Sequence, residues 1–178
     1  WERYGHPGMQ LVAGDGLQEI VRSSRYIGAM VDPVGGHFHP LNYLLGEAAA
    51  VEAMGGQIFE SSRVLKVTEG TRPMIETAEG SISCDTLLLC GNAYLGDAKP
   101  ELSARIMPVS SQVVTTERLG ALAEELLPAN TCVEDANYML DYYRMTADHR
   151  LLYGGGSTYG GAEPGDIIAK LRPHLERT

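Results

Sequence analysis

The chain has 178 residues and a formal net charge of −9. That length buries a real core, and the acidic balance, with no basic patch, argues against nucleic acid or an anionic membrane surface as partner. No run approaches the ~18 apolar residues of a spanning helix. Three cysteines, Cys84, Cys90 and Cys132, form no CxxC, so reduced thiols in a cytoplasmic protein are expected rather than a disulfide frame or a zinc site. The chain opens at Trp1 and stops at Thr178 within a helical pattern, which reads as a fragment of a longer protein.

Trp1 to Gly16 lacks periodicity and is expected to be irregular. Leu17, Ile20 and Val21 have helical spacing. Tyr26 to Asp32 reads as a strand ended by Pro33 and Gly35-Gly36. The clearest helix follows. Pro40 suits a first helical position, Leu41, Leu44, Leu45, Ala48 and Ala49 make one apolar face, and Gly55-Gly56 supply the stop. Short strands are predicted at Gln57 to Phe59, around Val64 to Val67, and from Met74 to Ala78, with a turn at Glu79-Gly80.

Ser81 begins a return into Leu87-Leu88-Leu89-Cys90, an apolar run without alternation. Such a run reads as a strand buried on both faces, and Cys84 and Cys90 as core. It ends at Gly91-Asn92. Ligands of open α/β sheets sit at the carboxyl ends of such strands, so this turn is the best candidate cofactor position, although any central strand followed by a loop fits the pattern.

Leu95 to Leu102 is expected to be helical in part, Ile106 to Thr116 a long strand, and Leu119 to Leu127 a helix closed by Pro128. Tyr138 to Met145 and Arg150 to Tyr153 form a hairpin. A glycine-rich loop runs from Gly154 to Gly165, and a helix begins at Ile167. The fold class is therefore mixed α/β, with a β insertion where a crossover helix is expected.

Few motifs carry chemistry. No GxGxxG occurs, and the glycines after Gly154 are followed by no Walker lysine. His37 and His39 would share one face of a strand, with Asp32 the only nearby third ligand. His39 is better explained as a helix-entry residue, so no metal site is expected. No catalytic acid–base or nucleophile constellation is found. Tyr142 and Arg144 share one face of their strand, where a phenol is able to close over an organic cation and a guanidinium to grip a carboxylate; an ordinary cross-strand aromatic pair fits equally well.

Four segments, in this order, resemble the D-amino-acid oxidase superfamily of flavoproteins. They are Gly36-His37-Phe38-His39-Pro40-Leu41 with Gly55-Gly56 and Arg63-Val64; Asp85 to Tyr94; Arg105 to Val109 with Gln112; and Arg150 to Gly155. The Asn92-Ala93-Tyr94-Leu95 turn, Tyr142-Tyr143-Arg144 and Tyr159-Gly160-Gly161 look most like γ-glutamylputrescine oxidases.

The resemblance implies part of a Rossmann-like FAD-binding domain with a β-meander insertion, plus a substrate domain on an antiparallel sheet. It divides the chain into a substrate-domain piece at 1–34, FAD-domain residues at 35–104 and a second substrate-domain piece at 105–178. It implies hydride transfer from a carbon bearing an amine nitrogen to FAD, then imine hydrolysis and release of hydrogen peroxide on reoxidation by oxygen. Val64 matches the residue whose backbone faces the adenine, and Cys90, Gly91 and Asn92 match the cofactor-side turn. Tyr142 matches a substrate-facing tyrosine; Arg144 is kept as a substrate-binding candidate from the strand-face reading alone.

Asn92 replaces the usual glycine, which asparagine's tolerance of positive φ allows. The superfamily's N-terminal GxGxxG is not in this sequence, so the chain alone is expected to bind FAD weakly or not at all. A glycine- or sarcosine-type oxidase or dehydrogenase, and a non-catalytic α/β ligand-binding module, are the rival readings.

Overall fold

The computed structural model describes residues 2–160 and 165–178. The chain divides into two compact units, one formed by 1–40, 110–158 and 162–178, the other by 41–109 and 159–161.

In the first unit, β1 (Gln10–Ala13) pairs antiparallel with β2 (Gly28–Val31). The short helix α1 (Asp15–Gln18) lies between them in sequence. β1 falls in the segment expected to be irregular, because four residues without clear alternation carry little strand signal.

In the second unit, α2 (Pro40–Ala53) is the helix that the apolar spacing predicts, with Pro40 its first residue. β3 (Lys66–Thr68), β4 (Met74–Glu76) and β5 (Ser81–Ser83) form an antiparallel meander. Gln57 to Phe59 forms no strand. The short helix α3 (Pro100–Ser103) closes this stretch.

The first unit resumes with the four-stranded sheet. Its order is β6 (Val109–Arg118), β9 (Arg150–Tyr159), β8 (Asp141–Met145) and β7 (Val133–Glu134), with α4 (Ala121–Leu126) between β6 and β7 in sequence. β9 overruns the expected glycine loop. Gly154, Gly155 and Gly156 are strand residues, and Gly154 and Gly155 pair across the sheet with Tyr142 and Asp141. The rest of that predicted loop, 161–164, lies outside the described residues. The last helix, α5 (Ile167–Leu175), starts where the pattern places it; the Asp166 side chain caps it by accepting from the Ala169 N–H at 2.8 Å.

The core belongs to the first unit. Leu17, Val21, Ala123, Leu127, Tyr143, Met145, Leu151 and Tyr153 form one buried cluster. Tyr143 and Tyr153 are cross-strand partners, stacked at 5.6 Å between ring centroids. By contrast, no residue from 41 to 109 is buried. Leu41, Leu44 and Leu45 of α2 are more than half exposed, and Leu88 is 81 % exposed.

That corrects the reading of 87–90. The run is not a strand, Cys90 is exposed and Cys84 only half-buried. A strand earns burial on both faces from its neighbours, and within this unit residues 87–90 pair with none. Among the described residues no helix is long and apolar enough to cross a membrane.

Core and exposed leucines therefore respond differently. Leu17→Ala should lower the unfolding free energy of the chain in urea by about 2–5 kcal/mol, whereas Leu88→Ala should stay within about 0.5 kcal/mol. A second expectation concerns alkali. Burial pushes the Tyr153 phenol up to about 12, and burial likewise pushes Tyr143 well above the ordinary phenol range. Both phenols favour the neutral form when folded, so their contribution is intact below the unfolded value of about 10 and is lost as pH rises through the folded value. The urea midpoint should fall between about pH 10 and 12, and less steeply in Tyr153→Phe once each variant is normalised to pH 8.

Candidate functional site

The second unit carries a recess of about 410 Å³ between the start of the meander and the segment 87–98. Val64, Cys90 and Gly91, expected to meet one cofactor, line it together, although Val64 and Cys90 are far apart in sequence. Arg63, Tyr94 and Asp97 line it too, and are residues the sequence reading did not place there. Asn92 follows the lined turn and is not itself a lining residue.

The turn is built as a close-approach turn should be. Residues 92–94 form a single 3-10 turn, with the Tyr94 N–H donating to the Gly91 carbonyl at 2.9 Å. Asn92 has φ +46°, the left-handed conformation that asparagine tolerates. A Cβ on Gly91 would lie 3.2 Å from the Leu95 Cα, so a side chain there would crowd the turn's own backbone.

The first unit holds the other expected pair. β8 alternates strictly: Asp141, Tyr143 and Met145 are buried, while Tyr142 and Arg144 are half-buried on the opposite face. The Tyr142 ring lies across Gly154, its cross-strand partner, so closely that a Cβ there would fall 2.2 Å from ring carbons. The Tyr142 hydroxyl is hydrogen-bonded to the Ser111 hydroxyl on β6. Arg144 donates to the Met145 carbonyl at 3.2 Å. Of the tyrosines grouped by sequence, Tyr138 is almost fully exposed, and Tyr143 and Tyr153 belong to the core.

Beneath this face runs a polar network that the sequence did not signal. Asp141, 1 % exposed, accepts from Arg25 at 3.3 Å and from the His174 Nδ1 at 3.1 Å. Asp135 accepts from Arg25 at 3.2 Å and from the Asp141 backbone N–H at 3.1 Å. The Tyr153 hydroxyl is 3.0 Å from that of Thr178, which also accepts from Arg25. These partners lie far apart in sequence and share no motif, so only three-dimensional structure reveals them.

The pair His37 and His39 is not on a strand, which removes the shared-face premise. His37 donates instead from Nε2 to the Asn130 carbonyl at 2.9 Å. Among the described residues no three His, Cys, Asp or Glu side chains group as a metal site.

With this geometry in place, the comparisons with known proteins define the class. The model of the DAO family, described as FAD dependent oxidoreductase, matches residues 1–178, and the chain belongs to that family. It is 48 % identical to the γ-glutamylputrescine oxidoreductase of Escherichia coli (strain K12), covering 100 % of this chain and 42 % of that protein. It is 35 % identical to the probable oxidoreductase OrdL of Haemophilus influenzae, over 98 % of this chain and 41 % of that protein. The solved glycine oxidase of Geobacillus kaustophilus superposes with a TM-score of 0.74 over 98 % of this chain and 47 % of that one, at 19 % identity, which establishes a shared fold. The chain thus spans less than half the length of these relatives.

The turn offers a direct check on its backbone. Asn92→Gly should leave thermal stability essentially unchanged, because glycine adopts positive φ freely. Asn92→Val should cost about 1–2 kcal/mol, because a β-branched residue resists that conformation. Equal melting temperatures for the two variants would contradict the left-handed assignment.

Proposed function

We propose that this chain is part of an FAD-dependent oxidoreductase that oxidises a C–N bond of a γ-glutamylputrescine-like amine. The observation that carries the reading is the 48 % identity, over the whole chain, to an enzyme whose name specifies that substrate. In this reading residues 35–104 belong to the FAD-binding domain, and 1–34 and 105–178 to the substrate domain.

The recess suits part of a dinucleotide. It is lined by a small-residue turn at Cys90-Gly91, by apolar side chains and by Val64, whose backbone is proposed to face the adenine. Asn92 holds the turn in shape. FAD, when bound in the full-length protein, would supply the hydride acceptor, and oxygen would take the two electrons back from it and be reduced to hydrogen peroxide. The chain's own residues would orient rather than react: no acid–base group is required of them beyond binding. Tyr142 and Arg144 project from one strand face, so a phenol hydroxyl and a guanidinium are presented to the same ligand. That pairing fits the carboxylate of a γ-glutamyl group. The exposed leucines of α2, with Leu88 and Leu89, pack in this reading against parts of the full-length protein outside this chain.

A glycine- or sarcosine-type specificity is the runner-up, since the shared fold with glycine oxidase is compatible with either. The full-length protein, loaded with FAD, should release peroxide on γ-glutamylputrescine and far less on glycine or sarcosine. Turnover of either amino acid with none of the γ-glutamyl amine would overturn the substrate assignment. A full-length protein that neither binds flavin nor oxidises any amine would point to the non-catalytic binding module.

A further inference from the structure

We propose that Ser111 is a positioning residue for Tyr142, and that Gly154 is the floor that lets it be one; this rests on the reading of Tyr142 as a substrate-binding side chain. A tyrosine on an exposed strand face ordinarily samples several rotamers. Tyr142 is restrained twice. From below, the ring covers the α-carbon of Gly154, occupying the space that any other residue's Cβ would fill. At its far end, the hydroxyl meets the Ser111 hydroxyl, 2.5 Å away on β6. β6, β9 and β8 are successive strands of one sheet, so the phenol reaches across the middle strand to a partner two strands away. A side chain spanning a strand at its glycine, pinned at the tip, has one available position.

The chemistry of the pair defines what it recognises. Two hydroxyls carry two protons. In the proposed arrangement Ser111 donates its proton to the phenol oxygen, and the phenol proton remains available to an acceptor. The Ser111–Tyr142 pair therefore presents a donor at a fixed point, on the same strand face as the Arg144 guanidinium. A fixed hydroxyl donor beside a guanidinium suits an anionic oxygen group on the amine, a carboxylate above all. Ser111 acts through Tyr142 and does not itself contact the substrate.

The test uses the full-length flavoprotein with γ-glutamylputrescine as the probe, comparing wild type, Ser111→Ala, Ser111→Thr, Tyr142→Phe and the double variant Ser111→Ala/Tyr142→Phe. Loss of one hydrogen bond that orients substrate should raise KM about fivefold in Ser111→Ala while kcat changes less than about twofold. Ser111→Thr keeps the hydroxyl and should behave as wild type. The double variant should match Tyr142→Phe alone, because with no phenol hydroxyl the serine has nothing to hold. Additive losses in the double variant, or a Ser111→Ala enzyme indistinguishable from wild type beside an impaired Tyr142→Phe, would overturn the positioning role and leave the substrate-site reading intact. A Tyr142→Phe enzyme with unchanged KM and kcat would overturn both, since the residue being positioned would then have no role in binding.

Discussion

The first unit is organised by one buried carboxylate. Asp141 sits at the start of β8 with 1 % of its surface exposed, and an unpaired charge in that position costs several kcal/mol. Its stability depends on Arg25, which precedes β2, and on His174, on α5. Asp135 in turn holds Arg25 and the Asp141 backbone N–H. An N-terminal segment, a central strand and the last helix are thereby committed to one arrangement. Removing any member would strand another member's charge or donor, and that is a stronger constraint than the attraction of any one pair.

Local patterns in the sequence made much of this architecture legible. α2, α5, the meander and the β8–β9 hairpin each follow from spacing, turn residues or caps, all of which act over a few residues. The misreadings share a different cause. Leu87-Leu88-Leu89 looks like a doubly buried strand, but burial on two faces is a statement about neighbours, and within residues 41–109 the run pairs with no strand and leaves Leu88 81 % exposed. Gly154-Gly155-Gly156 reads as a loop because glycine usually marks one. Here Gly154 makes room for the Tyr142 ring, and a Cβ on Gly155 would fall 2.6 Å from an Asp141 carboxylate oxygen. The glycines are there for close approach across strands, which single-sequence reading cannot distinguish from flexibility.

The candidate site divides in the same way. Composition and spacing singled out the turn after Leu89 and the Tyr142–Arg144 face. They did not connect Val64 to Cys90, which meet only because the meander brings 63–67 back beside 87–98. The family resemblance supplied that connection before the structure did. Neither route found the Arg25–Asp141–His174 network, since charged residues scattered through a sequence read as surface until their burial is seen.

That network and the Tyr142 face are nevertheless one design problem. Side chains on a strand alternate, so whatever fixes the inward set fixes the outward set as well. On β8 the inward set is Asp141, Tyr143 and Met145. Asp141 is anchored by the Arg25 guanidinium and by the His174 imidazole, and Tyr143 by its stack on Tyr153. A slip of one residue would place Tyr142 and Arg144 in the core and bring Asp141 to the surface, losing the ion pairs and the aromatic stack together. The register is thus determined from the buried side, where the energetic penalties are large. The outward face, which carries Tyr142 and Arg144, takes its geometry from residues on the inward face. If Tyr142 binds substrate as proposed, Asp141 bears on that recognition without contacting the ligand, by deciding which way the next residue points.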